Sequence, residues 1–158
     1  MASTLAETFA SVRSSDISPY GYGAQLDFLE VPSESIDEAS RPDWIVTNPP
    51  FRLAEEFARR AVALARVGAA MLVRTGFIEG AGRYERLFRD CPPAIFAQFV
   101  ERVPILRGRV DATASTATGY CWLVWLKQVQ GRPSLFWIPP CRKRLERQGD
   151  YDDPREQS

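Results

Sequence analysis

The sequence of 158 residues contains no histidine. This absence excludes Ser-His and Cys-His catalysis, histidine metal ligands and a histidine general base. The three cysteines, Cys91, Cys121 and Cys141, are odd in number, far apart and form no Cys-x-x-Cys pair. We therefore expect neither a disulfide framework nor a metal site, and this cysteine usage predicts the reducing cytoplasm as the compartment.

The sequence also has no long apolar run and no excess of one charge. A transmembrane helix requires roughly 20 apolar residues, and no run approaches that length, so we expect no membrane contact. The start of the chain shows no basic region followed by an apolar stretch, as a signal peptide would. Lys and Arg together number 20, as do Asp and Glu. No global positive field therefore indicates nucleic-acid binding, although a local basic patch is compatible with this balance.

The apolar runs and helical patterns that the sequence contains predict an α/β fold. Apolar runs predict strands at 11–17, 43–47, 69–75, 95–103, 120–127 and 135–138, and helices are predicted at 2–10, 52–66 and 77–89. In the second helix the apolar stripe consists of Leu53, Phe57, Ala61 and Leu64. This alternation is typical of a parallel sheet with helices on both faces. We expect one domain at 1–140 and a charged C-terminal tail at 141–158.

The most informative motif is Asn48-Pro49-Pro50-Phe51, which follows the predicted strand 43–47 and contains the sole asparagine. The amide oxygen of Asn48 and the carbonyl of Pro49 are two acceptors for the protons of a planar amine, whose lone pair is otherwise delocalised. The prolines stiffen the loop, and Phe51 provides a ring on which a base can stack. The alternative is a simple turn that ends a strand, since Asn and Pro are turn formers.

Two acids precede this motif near predicted strand ends. Asp16-Ile17 closes the first predicted strand, and Asp27-Phe28 lies in a short apolar stretch. Because ligands of parallel α/β sheets bind at the carboxyl ends of strands, we expect Asp16, Asp27 and Asn48 at one edge of the sheet. The alternative for Asp16 is a cap of the turn that follows it.

The order of Asp16, Asp27 and Asn48-Pro49-Pro50-Phe51 along the chain resembles that of the motifs in the Rossmann-like class I methyltransferases, which use S-adenosyl-L-methionine. The resemblance is greatest to those that modify adenine N6. The resemblance spans about residues 1–127 and implies a mostly parallel sheet with a late antiparallel edge, next to which 120–127 would lie. It implies that Asp16 binds the cofactor ribose and that Asp27-Phe28-Leu29 contacts the cofactor adenine, with Asp27 meeting its amino group. Ile17 and Phe28 would belong to the same cofactor site. Asn48, Pro49, Pro50 and Phe51 would form the catalytic loop.

The resemblance implies an enzyme that methylates an exocyclic amine, with adenine N6 in DNA as the expected acceptor and DNA preferred over RNA as the partner. A sulfonium methyl group is already a strong electrophile, so positioning matters more than a strong base, and a site without histidine agrees with that. A base in a duplex must first be swung out of the stack. Guanine N2 in RNA and a glutamine amide in protein remain alternative acceptors.

The chain departs from that family before Asp16. Such enzymes begin with a strand and a glycine-rich loop that approaches the cofactor closely, and no glycine precedes Asp16. We therefore expect a sheet without its first strand, whose centre is unpaired. Three explanations are open: a truncated or misassigned start, which is favoured; a decayed, non-catalytic remnant; and a partner chain that completes the fold.

Two basic groups are candidate phosphate contacts. The first comprises Arg102, Arg107 and Arg109, and the second comprises Arg142, Lys143, Arg144 and Arg147. Acids follow the second group closely, which favours a solvated tail there. The length leaves no room for a separate domain that recognises a target sequence.

Overall fold

The computed structural model describes residues 1–19, 23–32, 36–105, 114–129, 131–147 and 150. The chain divides into a first unit, residues 1–41, and a second unit, residues 42–158.

The first unit contains one short helix and one small sheet. The helix α1 is Ala2–Ala6, and the parallel strands β1 and β2 are Ser15–Asp16 and Ala24–Gln25. The predicted helix 2–10 and strand 11–17 are thus shorter than expected. Gly23 has φ 84° and approaches the strand so closely that a Cβ atom there would lie 2.3 Å from the carbonyl oxygen of Ser14. A residue with a side chain would be strained at this position.

The second unit is built on a five-stranded sheet in the order β3-β4-β6-β5-β7. Its strands are β3 (Trp44–Thr47), β4 (Gly68–Arg74), β5 (Ile95–Phe99), β6 (Tyr120–Leu126) and β7 (Ser134–Ile138). The pairs β3–β4 and β5–β7 are parallel, whereas β6 is antiparallel to both β4 and β5.

The α/β class is confirmed, but the expectation of a mostly parallel sheet with an antiparallel edge is wrong. The sheet is mixed, because the antiparallel strand β6 lies third of five and makes two of the four pairings antiparallel. A crossover helix normally returns the chain for a parallel pairing. The described part of the connection 100–119 contains no helix, and the chain returns in the opposite direction between β4 and β5.

The helix α2 (Ala54–Leu64) connects β3 to β4 and buries a stripe of small residues. The buried positions are Ala54, Ala58, Ala61 and Leu64. Leu53, which the periodicity places in the stripe, is 41% exposed because it belongs to a 3₁₀ turn, Phe51–Leu53, that precedes the helix. The buried alanines let the helix backbone approach the sheet closely.

The core lies where α2 covers β4 and β6. Alternate residues of the two central strands are buried there: Met71 and Val73 from β4, and Cys121, Leu123 and Trp125 from β6. Met71 is the register partner of Leu123. The indole N–H of Trp125 donates to the carbonyl oxygen of Cys91 at 3.0 Å. This period-two burial is what a half-covered sheet predicts.

The remaining helices are short. The helix α3 is Ala81–Arg83 and continues into a π-helical turn, Tyr84–Phe88, and α4 is Arg142–Leu145. A carboxylate oxygen of Glu101 accepts the backbone N–H groups of Cys141 and Arg142 at 2.7 and 2.8 Å, and these bonds lower its pKa. The start of the expected tail is therefore helical, whereas residues 151–158 lie outside the described residues. None of the helices in the described ranges is long and apolar enough to cross a membrane.

Glu55 joins α2 to the π-helical turn. The Nε and Nη2 atoms of Arg86 donate to the two carboxylate oxygens of Glu55, each at 2.9 Å. The hydrogen bond from Arg86 lowers the pKa of Glu55, while partial burial acts in the opposite direction. The ionised form of Glu55 therefore stabilises the packing of α2.

We expect Glu55→Gln to remove an acid-dependent part of the stability. Because the folded pKa lies below the ordinary value of 4.5, the contribution is complete above that value and is lost as the pH falls through the folded pKa. Urea unfolding at pH 7 and at a pH below the folded pKa of Glu55 should show a destabilised variant only at the higher pH. Glu56→Gln is the control, since exposed Glu56 has no hydrogen bond to Arg86. The same pH dependence in both variants would contradict this role.

Candidate functional site

The loop Asn48-Pro49-Pro50 follows β3 at the carboxyl end of the parallel pair β3–β4. The strand ends here because neither proline has an N–H group for the ladder. Pro49 is buried, whereas Asn48 and Pro50 are exposed. The backbone N–H of Leu53 donates to the carbonyl oxygen of Pro50 at 2.9 Å and closes the turn that leads into α2. The side-chain amide of Asn48 has no hydrogen-bond partner among the residues that the structure describes.

A cavity of about 330 Å³ lies at the same end of the sheet. Its lining comes from the start of the turn before α2, the end of β4 with the segment after it, and the approach to β6. The lining residues are Phe51, Ala54, Val73, Arg74, Thr75, Gly76, Phe77, Arg83, Thr118 and Gly119. Of the predicted catalytic loop, Phe51 alone belongs to this lining.

Two arginines in the cavity wall stack on aromatic rings. The guanidinium carbon of Arg74 lies 4.0 Å from the centroid of the Phe51 ring, and that of Arg83 lies 4.3 Å from the centroid of Phe77. Among the residues that the structure describes, the lining contains no Asp or Glu. The cavity wall is therefore aromatic and positively charged.

A hydrogen-bonded polar wall supports the far side of the cavity. The hydroxyl of Thr75 donates to the Oε1 atom of Gln98 at 3.1 Å, and the amide nitrogen of Gln98 donates to the carbonyl oxygen of Tyr120 at 3.0 Å. A Cβ atom at Gly119 would lie 2.9 Å from the hydroxyl oxygen of Thr75, so glycine permits this close approach. Burial raises the pKa of the neighbouring Cys121 thiol to about 12. The thiol is protonated at neutral pH and is no candidate nucleophile.

The predicted cofactor residues lie in the first unit. Asp16 ends β1, and Asp27 follows the paired strand β2 by two residues, so both acids lie at the carboxyl ends of adjacent parallel strands. Ile17 is 63% exposed, and Phe28 is half-buried. Both acids thus lie at one end of the small sheet β1–β2, whereas Asn48 follows β3 of the separate five-stranded sheet. The expectation that all three residues lie at the edge of one sheet is therefore not met.

Both acids also form local turns. One oxygen of Asp16 accepts the backbone N–H of Ser18 at 2.8 Å, and one oxygen of Asp27 accepts that of Leu29 at 2.9 Å. Each of these bonds uses a single oxygen atom of its carboxylate. The turn-capping role anticipated for Asp16 is therefore present, and a second oxygen remains on each carboxylate.

Sequence reasoning missed Arg74 and Arg83. The available signal was an arginine at the carboxyl end of the apolar run 69–75, whereas nothing local marked Arg83. Of the predicted basic residues, Arg102 donates to the carbonyl oxygen of Ala117 at 2.9 Å, and Arg107 and Arg109 lie outside the described residues. The second basic group belongs to α4 and the residues after it, and none of its members lines the cavity.

Comparison with known proteins assigns no family to this chain. No family model matches it, and no curated protein matches its sequence.

Proposed function

We propose that this chain is an S-adenosyl-L-methionine-dependent methyltransferase that acts on an exocyclic amine, with adenine N6 in DNA as the first candidate acceptor. One observation supports this most strongly. The loop of Asn48, Pro49 and Pro50 lies at the carboxyl end of the parallel pair β3–β4, where α/β sheets bind their ligands. Its exposed amide has no described partner, and Phe51 adjoins a cavity.

We also propose that the sheet is Rossmann-like and lacks its first strand. The unit β3-α2-β4 is a parallel strand pair with a crossover helix. The strand β6 coincides with the late run 120–127 and is antiparallel to both neighbours. Within the described residues β3 pairs with β4 alone, and this agrees with a missing neighbouring strand.

The chemistry of the first unit fits the proposed cofactor. The oxygen atoms of Asp16 and Asp27 that have no partner among the described residues are acceptors for ribose hydroxyls and for the amino group of an adenine ring. Ile17 and Phe28 supply apolar surface beside the two acids. When bound, the cofactor supplies an electrophilic methyl group on a sulfonium.

The residues of the second unit would orient the acceptor. The amide oxygen of Asn48 and the carbonyl of Pro49 accept hydrogen bonds from the amine and favour the tetrahedral geometry that exposes its lone pair. Oxygen acceptors also stabilise the positive charge that develops on the nitrogen during transfer. Methyl transfer would form the N–C bond as the bond between the methyl carbon and the sulfonium sulfur breaks, with the electron pair left on the sulfur. The amine would lose a proton to solvent.

Transfer of a radioactive methyl group from the cofactor to DNA, RNA or protein tests this proposal. We expect label in DNA, and label that appears in protein alone would contradict DNA as the acceptor. Calorimetry with the cofactor tests activity of the chain by itself. Absence of binding up to millimolar cofactor would contradict activity of the chain by itself. It would favour either a non-catalytic remnant or a protein that a partner chain completes, and a size measurement in solution would distinguish these two.

A further inference from the structure

Arg74 is exposed, stacks on an aromatic ring and has no counterion among the residues that the structure describes. It ends β4 and is exposed, with its guanidinium on the ring of Phe51 at 4.0 Å. No hydrogen bond or ion pair joins its side chain to any other residue in the described part of the chain. A stacked guanidinium keeps its in-plane N–H groups available, and their fork matches the oxygen atoms of a phosphate.

Arg83 adds a second positive charge to the same cavity. Its Nη1 atom donates to the carbonyl oxygens of Phe77 and Glu79 at 2.6 and 2.8 Å, which fixes the side chain. Its Nε atom is buried without a partner among the described residues. The carboxylate of Glu55 in its vicinity is already bound by Arg86. Two guanidiniums thus face a cavity whose described lining residues include no acid.

From these contacts we propose that Arg74, aided by the charge of Arg83, binds the phosphate of the nucleotide whose base carries the acceptor amine. This inference rests on the proposed function and specifies its substrate as a nucleic acid. A nucleotide presents a planar base and an anion together, whereas a glutamine side chain presents no anion. Phe51 links the subsite for the base to the subsite for the phosphate, because its ring contacts the guanidinium of Arg74 and it lies three residues after Asn48 in the chain.

The cavity has a volume of about 330 Å³, which is at the lower end of the range for ligand sites. We expect a base of duplex DNA to be extruded from the stack before its amine reaches Asn48.

Anisotropy of a fluorescent single-stranded oligodeoxynucleotide, titrated at several salt concentrations, tests the phosphate contact without methyl transfer. We expect Arg74→Ala to weaken binding about tenfold and to reduce the salt slope by about 0.7. Arg74→Met keeps the aliphatic stem and should behave in the same way. Thermal unfolding of each variant confirms that the fold is intact.

The control is Arg132→Ala. Arg132 is exposed and precedes β7, whose amino end lies at the opposite end of the sheet from Arg74. We expect a smaller loss of affinity in this variant. Equal losses in the Arg74 and Arg132 variants, or no binding by the unaltered protein, would overturn the proposal.

Two further experiments identify the anion that Arg74 binds. With an oligonucleotide whose phosphates are replaced by neutral methylphosphonates, the Arg74 effect should disappear, and an unchanged effect would overturn the phosphate contact. If Arg74→Ala instead weakens binding of the cofactor and leaves oligonucleotide binding unchanged, the anion is the cofactor carboxylate and the proposal is wrong. Methyl transfer is measured separately, so its absence leaves the phosphate contact testable.

Discussion

Asn48→Ala is expected to reduce methyl transfer by more than about 100-fold, while affinity for the cofactor stays within a few-fold of the unaltered protein. The substitution removes one of the two acceptors for the amine and leaves the Pro49 carbonyl in place. Asn48 belongs to the second unit, and the acids proposed to bind the cofactor belong to the first. Turnover with saturating cofactor, together with calorimetry, measures the two effects separately.

The matched control for this prediction is Gln128→Ala, which also deletes an exposed amide. Gln128 follows β6, and the end of β6 pairs with Gly68 at the amino end of β4. This position is at the opposite end of the sheet from Asn48. Unchanged turnover in the Asn48 variant, or an equal loss in both variants, would defeat the catalytic assignment.

Leu123→Ala is expected to destabilise the protein by about 3–5 kcal/mol, because it removes transfer energy and leaves a cavity. The side chain is fully buried in the central strand β6, opposite Met71 and under α2. A loss of this size lowers the unfolding midpoint by about 6–20 °C in a chain of this length. Chemical unfolding gives the free energy, and thermal unfolding gives the midpoint.

Leu135→Ala deletes the same atoms at an exposed position. Leu135 lies on the edge strand β7 and is 56% exposed, and its neighbours Phe136 and Trp137 are exposed to a similar degree. We expect a cost below about 1 kcal/mol there, as for most surface substitutions. If the two leucine variants lose similar stability, β6 is not the centre of the core.

Local patterns in the sequence predicted three strands of the second unit well, whereas the predicted strand 95–103 extends four residues beyond the end of β5 at Phe99. The runs 43–47, 69–75 and 120–127 correspond to β3, β4 and β6 within a residue or two at either end. Proline at 49 and 50 predicted the end of β3 because a missing N–H is a property of the residue itself. The stripe of α2 was displaced, since a 3₁₀ turn before the helix changes the phase of the repeat.

The candidate site likewise has features that the sequence shows directly and features that only the fold creates. The identity of Asn48 and the order of Asp16, Asp27 and Asn48 are visible in the chain. The adjacency of Asp16 and Asp27 depends on the pairing of β1 with β2. The cavity beside Phe51 requires Arg74, Arg83 and Gly119 to meet from three segments.

The sequence by itself determined the α/β class, the strand that ends in Asn48-Pro49-Pro50 and the acids that precede it, because each follows from residue chemistry over a few positions. Only the tertiary structure decided that β6 lies between β4 and β5 and that two arginines stack at one cavity. The physical reason is that strand order and convergence depend on pairings between residues far apart in the chain. Periodicity specifies which face of a strand is buried, but it does not specify the neighbour against which that strand is paired.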